Sequence, residues 1–270
     1  FDTAETDVAI FVWQKQNRSN TPTLWCTVKD LVGCYAEGVR DYFLRLSVAV
    51  PPEQFGIGLP RLATSATAEI RGRMEMGRPR LGELFPNAIS WGIKTGLNDA
   101  FFISAGKRRQ LVAEDESADE VIKPLLTGDD VRRYEVHYRS EFLIYMPHGV
   151  DINHYPSVAK HLGQYRSYLD GKGNRIGLEH RATSQAWYEL QQPSPKLIPI
   201  LEEAKIIYPI IGKEGRFTLE TDGRYINDKV FVLPTADPFL LGVLNSAAAF
   251  TFLKAVCVAH GDRKSTRLNS

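Results

Sequence analysis

The sequence predicts an α+β fold of mixed short strands and helices rather than a doubly wound sheet. Three observations carry this. Apolar runs such as Lys205-Ile206-Ile207-Tyr208-Pro209 are short, Asp222-Gly223 sits between two strand-like runs, and helical segments do not alternate regularly with strands.

Taken in order, Thr6 to Trp13 alternates into a short apolar strand, Val8 to Val12, followed by Lys15. Asn17 to Pro22 is polar and rich in turn formers, which marks a boundary. Val28 to Phe55 is the least readable stretch; it suggests a helix and a strand over Phe43 to Val50 that stops at Pro51-Pro52. Ala63 to Met76 reads as a helix, with Ile70, Arg73 and Met74 at helical spacing and Gly77 and Pro79 ending it. A glycine-bearing turn, Gly92 to Asp99, then runs into the apolar stretch Ala100 to Ile103. Glu114 to Glu120 is an acidic run with the character of a solvated loop.

Thr127-Gly128-Asp129-Asp130 has the composition of a capped helix start. In Pro156 to Leu169, Val158, Leu162, Tyr165 and Leu169 fall on one helical face behind a proline suited to the first turn. Phe217–Glu220 and Arg224–Ile226 flank Asp222-Gly223, the strongest local hairpin signal in the chain. Asp237-Pro238 caps and opens a long apolar helix to about Ala259. There is no internal repeat, which argues against a solenoid.

With 43% hydrophobic and 24% charged residues, the composition is that of an ordinary globular protein. No apolar run approaches the roughly 18 residues of a membrane span, so no membrane partner is expected. Cys26, Cys34 and Cys257 show neither metal spacing nor a paired framework, which suits reduced thiols in a cytoplasm. The six histidines are dispersed, and there is no His-Glu-x-x-His, phosphate-binding GxxxxGK[ST] loop or nucleophile elbow. No catalytic residue and no metal ligand is therefore expected in this chain.

Chemistry is concentrated elsewhere. The run Gly92-Ile93-Lys94-Thr95-Gly96-Leu97-Asn98 is a way to present backbone amides and short polar side chains to an anion such as a phosphate backbone. Lys94 and Thr95 would contact phosphate, and Asn98 a phosphate or a base edge. The plainer reading is that the glycines satisfy turn geometry and Asn98 tolerates a left-handed backbone. Arg132 and Arg133 grip phosphates with forked donors, or pair with Asp129 and Asp130 at the surface. Gly171 to Arg181 is glycine-rich and basic, with the look of a mobile loop that orders on DNA. Lys205 either reaches DNA or is a strand-edge lysine. Trp187 and Tyr188 read better as core anchors than as base-stacking residues. Arg71, Arg73, Arg78 and Arg80 either track a phosphate strand or line a solvated helix face.

Taken in order, five segments carry a resemblance: the Gly92 to Ile103 turn, Leu126-Thr127-Gly128-Asp129-Asp130-Val131-Arg132-Arg133-Tyr134, Ala186-Trp187-Tyr188-Glu189-Leu190, Lys205 to Pro209, and Leu240-Leu241-Gly242-Val243-Leu244-Asn245-Ser246. The chain resembles the target recognition domain of the Taq-like adenine-specific DNA methyltransferases, including type IIG restriction-modification enzymes. The resemblance implies a domain at 61–261 that reads double-stranded DNA, preceded by a connecting segment at 18–60. Residues 1–17 look like the last strand of an α/β methyltransferase domain whose remainder would be the partner of this one. It also implies a parent enzyme that methylates adenine N6 from S-adenosylmethionine, with no cofactor held by this chain. The family's adenine-holding Asn-Pro-Pro-Tyr has no counterpart, since Pro51-Pro52 lies between Val50 and Glu53. Family members place an arginine upstream of Trp-Tyr-x-Leu; here Arg175 and Arg181 compete for that place. The alternative is a non-catalytic specificity subunit of a type I restriction-modification system.

Asp262 to Ser270 looks like the in-frame translation of a sequencing adapter and is expected to lie outside the fold. Removing its three cations and one anion turns the formal charge from +1 to −1. Only the distribution of charge, then, can favour nucleic acid.

Overall fold

The computed structural model describes residues 23–26, 28, 30–50, 73–74, 76–77, 79–86, 88–181, 184–212, 214–256 and 266–267. The expected strand at 8–12, the boundary at 17–22, Pro51-Pro52, most of the helix at 63–76, Arg71, Arg78 and Cys257 lie outside the described residues. The chain divides into two units, Phe1–Ser65 and Ala66–Ser270.

In the first unit, β1 (Thr23–Trp25) pairs antiparallel with β2 (Val48–Val50), Leu24 opposite Ala49. Helices Leu31–Glu37 and Val39–Leu46 lie between them in sequence, so Phe43 to Leu46 is helical and the expected strand is shorter by that much. The Asp30 side chain caps the first helix by accepting from the Gly33 amide at 2.9 Å.

The second unit holds two four-stranded sheets. One has the order β13 (Thr218–Glu220), β11 (Lys205–Pro209), β15 (Val230–Leu233), β3 (Ser90–Trp91), all antiparallel. The other has the order β14 (Tyr225–Ile226), β5 (Ile122–Leu126), β8 (Glu141–Ile144), β4 (Phe102–Ser104), with β14 parallel to β5 and the other pairs antiparallel. Small ladders complete it: β6 (Val131–Arg132) with β7 (Glu135–Val136), β9 (Tyr168–Leu169) with β10 (Arg175–Ile176), and β12 (Ile211–Gly212) with β16 (Thr266–Arg267). Because β16 falls within Asp262 to Ser270, that stretch does not lie wholly outside the fold: Ile211 stands opposite Arg267.

The unbroken apolar runs of β11 and β15 follow from burial on both faces. Side chains alternate along a strand, so Ile207, Val230 and Val232 enter one buried cluster with Phe101, Leu125, Leu143 and Leu190. Ile206, Tyr208, Phe231 and Leu233 enter another with Phe217 and Leu244. Each fully buried side chain of this size contributes about 1.5–3 kcal/mol, which makes these two strands the joint between the clusters.

Several elements differ from the sequence expectation. Helix Ala105–Glu114, capped by the Ser104 hydroxyl accepting from the Lys107 amide at 3.2 Å, has only Leu111 buried. So little apolar periodicity leaves no signature, and the acidic run becomes its last residue, a turn held by Asp115, and a short helix Ala118–Val121. Thr127 to Asp130 is a turn closed by Asp130, whose carboxylate accepts from the Thr127 amide at 2.7 Å, and β6 follows directly. The helix at Pro156 stops at Gly163, and Tyr168–Leu169 is extended. The apolar C-terminal helix is two, Pro238–Leu244 and Ala247–Val256. Its interruption is Asn245, whose buried amide grips the Phe217 backbone from both sides, donating to the carbonyl at 2.8 Å and accepting from the amide at 3.1 Å. The Asp222-Gly223 turn forms, with Gly223 at φ 68°, yet β13 and β14 pair with different sheets instead of with each other. Glu220 accepts from the Asp222 and Arg224 amides at 2.9 and 3.3 Å, so a buried side chain, not a cross-strand ladder, closes the turn.

Candidate nucleic-acid interface

The Gly92 to Asn98 turn starts as a graft onto two strands. Gly92 donates its amide to the Val230 carbonyl at 3.0 Å, Ile93 to Ile226 at 2.8 Å and Lys94 to Gln192 at 3.1 Å. A Cβ at Gly92 would collide with the carbonyls of Ile226 and Asn227, so the backbones approach as only glycine allows. The apolar strand does not follow at once; one helical turn, Asn98–Phe101, intervenes before β4.

These bonds correct one expectation, because the amides of Gly92, Ile93 and Lys94 are spent inside the protein rather than offered to an anion. Thr95 is corrected with them. It is 1% exposed, and its hydroxyl donates to Asn98 Oδ1 at 2.7 Å while accepting from the Leu97 amide at 3.2 Å. Lys94 is half-buried and forms no ion pair among the described residues. Asn98 is exposed, its Oδ1 taken by Thr95 and its Nδ2 donors unused among the described residues.

Arg181 lies beneath this turn as a structural clamp. Its guanidinium donates to the carbonyls of Leu178 at 3.1 Å, Thr95 at 2.8 Å and Trp187 at 2.9 Å. Gly96, at φ 81°, leaves room for its Cδ. Burial pushes the Arg181 guanidinium below its ordinary range, partly offset by Glu189. The same loop is tied by Glu189, 8% exposed, which accepts from the amides of Gly149 at 2.6 Å and Ala186 at 2.9 Å. Trp187 and Tyr188 pack edge to face at 5.5 Å against the larger cluster, as core anchors do.

Lys205 is also corrected. It is 0% exposed and donates to Glu220 Oε2 at 2.5 Å and to the Leu201 carbonyl at 2.5 Å, which leaves it no route to a phosphate. The sequence concealed this, since a lysine at the start of an apolar strand looks identical whether it faces water or a buried carboxylate. Gly171 to Arg181 is not an irregular loop: β9 and β10 form a hairpin whose turn is held by Asp170, accepting from the Lys172 and Asn174 amides at 2.8 Å each. Arg175 is exposed on β10 with no ion pair among the described residues.

Arg132 and Arg133 sit in the β6–β7 hairpin, with Tyr134 between the strands at φ 66° and 54% exposed. Neither pairs with Asp129 or Asp130, because Asp130 is 1% exposed and bound by Arg139 at 2.8 Å. Arg133 donates to the Asn245 carbonyl at 2.7 Å and lies 5.5 Å over the Tyr134 ring, whereas Arg132 reaches only the Val131 carbonyl, at 3.1 Å. The two basic loops leave one seam. Asp228 donates its amide to Ile93, and Asn227 donates to Leu126, the residue before the Thr127 turn. Of the arginine cluster, Arg73 and Arg80 are described and exposed.

Beside the Lys94 turn opens a groove of about 510 Å³ whose lining includes Trp91, His148, Gln191, Gln192, Pro193 and Ser194. The sequence reading passed over these residues. The signal was present in Gln191-Gln192-Pro193-Ser194-Pro195, two adjacent amides set on a proline-stiffened run. Among the described residues, no group of three or more His, Cys, Asp and Glu side chains is placed to hold a metal ion, and no helix is long and apolar enough to cross a membrane.

The family model for the TaqI-like C-terminal specificity domain matches residues 123–267. Among solved structures, the fold is similar to that of the type IIL restriction-modification enzyme MmeI, in a structure determined in complex with DNA, with a TM-score of 0.50 and 14% identity. That match covers 67% of this chain but 23% of the MmeI chain. No curated protein matches. Since the family model spans more than half of the sequence, the chain belongs to the family of TaqI-like C-terminal specificity domains.

Proposed function

We propose that this chain is the DNA sequence-recognition part of a site-specific adenine N6 DNA methyltransferase in a restriction-modification system, acting in the cytoplasm on double-stranded DNA. The observation that carries this reading, beside the family match, is that Lys94, Arg132 and Arg175, on the segments that carry the family motifs or beside them, have no carboxylate partner among the described residues, whereas other cations of the same unit do. Arg108, Arg139, Lys160, Arg166, Lys205, Arg216 and Arg224 each pair with a carboxylate. In a chain of near-zero net charge, such uncompensated cations on the specificity unit supply local attraction to phosphate without a globally basic surface.

Methyl transfer from S-adenosylmethionine belongs, in this reading, to a catalytic domain elsewhere in the parent protein. That cofactor supplies the methyl group for adenine N6. No residue of this chain is assigned to hold the target adenine, because Val50-Pro51-Pro52-Glu53 lacks the asparagine and tyrosine of the adenine-holding motif. The role left to Lys94, Arg132 and Arg175 is grip, with Asn98 offering Nδ2 to a base edge or a phosphate. Arg133 is secondary, its guanidinium already committed to Asn245.

The test measures binding of the chain to duplex DNA at several salt concentrations. Each phosphate contact contributes about 0.9 to the slope of log K against log salt. Lys94→Ala, Arg132→Ala and Arg175→Ala should each flatten the slope by about that amount while weakening binding to all duplexes alike. Unchanged slopes in all three variants, with wild-type melting temperatures, would remove the proposed grip.

A further inference from the structure

We propose that the groove beside the Lys94 turn is a base-reading subsite, in which Gln191, Gln192 and His148 meet the edges of base pairs in the major groove of duplex DNA. The inference rests on the DNA-recognition reading above and names the residues that determine specificity within it.

The backbone holds the two glutamines in place and leaves their side chains unused. Gln192 exchanges both backbone hydrogen bonds with Lys94, at 2.8 and 3.1 Å, and the Gln191 amide donates to the Thr95 carbonyl at 3.3 Å. Neither side-chain amide has a hydrogen-bond partner among the described residues, and Gln192 is exposed. The next residues are stiff. Pro193 and Pro195 flank Ser194, a non-glycine residue in the left-handed region at φ 49°, and the Pro193 carbonyl is fixed by the Tyr145 hydroxyl at 3.2 Å. So rigid a support spares the backbone any ordering cost on binding, which leaves the glutamine side chains as the part to be ordered. Its amide presents the donor and acceptor that match adenine N6 and N7.

His148 adds a defined atom. Its Nε2 lies 2.9 Å from the Leu190 carbonyl, which only accepts, so Nε2 donates there, and in the tautomer with its proton on Nε2 the other ring nitrogen, Nδ1, is an acceptor. Trp91 is 51% exposed at the groove, its ring edge-on to Phe231 at 6.3 Å. A large aromatic held from beneath but bare above suits a thymine methyl group or the flat edge of a base. Lys94, tied to Gln192 through the backbone, sets an unpaired cation at the rim, where the phosphates flanking a read base would pass. Polar readers, an apolar wall and a rim cation together fit a base pair better than a small apolar ligand.

The experiment selects duplexes from a randomised pool with the full chain and compares the enriched motif for wild type, Gln192→Ala, Gln191→Ala and Gln192→Glu, with binding measured at several salt concentrations. The expected result is that each alanine variant loses about ten-fold discrimination at one motif position with the salt slope unchanged. Gln192→Glu, whose carboxylate accepts only, should move the preference at that position from adenine toward cytosine. Melting temperatures guard against misfolding, and the groove-facing amides take no part in the backbone ladder. Identical motifs from all four proteins, or wild-type binding that enriches no motif, would overturn the subsite while leaving DNA binding in place. Absence of any duplex binding by wild type would overturn the functional reading and the subsite with it.

Discussion

Arg181 Nη1 donates to the Thr95 carbonyl at 2.8 Å across 86 positions of sequence, so the basic residue beside the Trp187 motif underpins the Lys94 turn from below. Hydrogen bonds from a charged donor contribute roughly 1.5–3 kcal/mol each, and Arg181 satisfies three carbonyls at 3.1 Å or less. Arg181→Ala should therefore cost about 3 kcal/mol in urea unfolding. Arg181→Lys should not restore it, since an ammonium lacks the planar fork. Wild-type stability in the alanine variant, together with a flattened salt slope, would return Arg181 to the DNA.

The Lys205–Glu220 pair is completely buried. Removing one partner of such a pair leaves an uncompensated charge and typically costs about 3–5 kcal/mol. Lys205→Met should fall in that range, softened by Arg224, which approaches Glu220 at 3.3 Å. DNA binding by whatever fraction remains folded should keep its salt slope. A stable Lys205→Met variant with a flattened slope would contradict the burial assigned here.

Asp130 carries an acid-sensitive contribution. Burial alone would raise its carboxyl, but hydrogen bonds from Arg139 and Thr127 outweigh burial and hold it below the usual carboxylate range. A depressed folded-state pKa gives stability that is present above the unfolded value, ~3.9, and is lost as pH falls through the folded one. Arg139→Ala should move the acid unfolding transition to higher pH. Melting curves between neutral and acid pH test this, and coincident acid limbs for wild type and variant would refute it.

Gly92 and Gly149 should respond differently to alanine. At Gly92 the added Cβ meets two backbone carbonyls, so the Gly92 turn must move off the Ile226–Asn227 backbone; the expected loss exceeds about 3 kcal/mol, as for other overpacked sites without room to relax. At Gly149 the φ of 85° is unfavourable but the space is open, so about 1–2 kcal/mol is expected. Equal losses in thermal unfolding would mean that the close approach at Gly92 does not matter.

What was legible in the sequence was mainly local. The α+β class, the Asp237 cap and the proline-led helix at Pro156 rest on short-range spacing and appear as expected, apart from their C-terminal limits. The break at Asn245 depends on Phe217, 28 positions away, and no helical periodicity encodes such a partner. The candidate site divides in the same way. Lys94, Arg132 and Arg175 remain available, whereas Thr95, Arg181 and Lys205 turn inward because their partners, Asn98, the Trp187 loop and Glu220, are set by tertiary packing. Helix Ala105–Glu114 escaped notice for a different reason: one buried leucine is too little apolar pattern to register.

The Asp222-Gly223 turn bears on how the chain folds. On one side of it, Thr218 pairs with Ile207, a near neighbour in sequence; on the other, Tyr225 pairs with Leu125, 100 positions earlier. A short local loop therefore has to wait for a distant strand before its second arm finds a partner. Loop-closure entropy is spent before that contact returns anything, which slows the search. The β13–β11 pairing thus closes a short loop, whereas the β14–β5 pairing closes one of 100 positions, and of the two it carries the larger entropic cost.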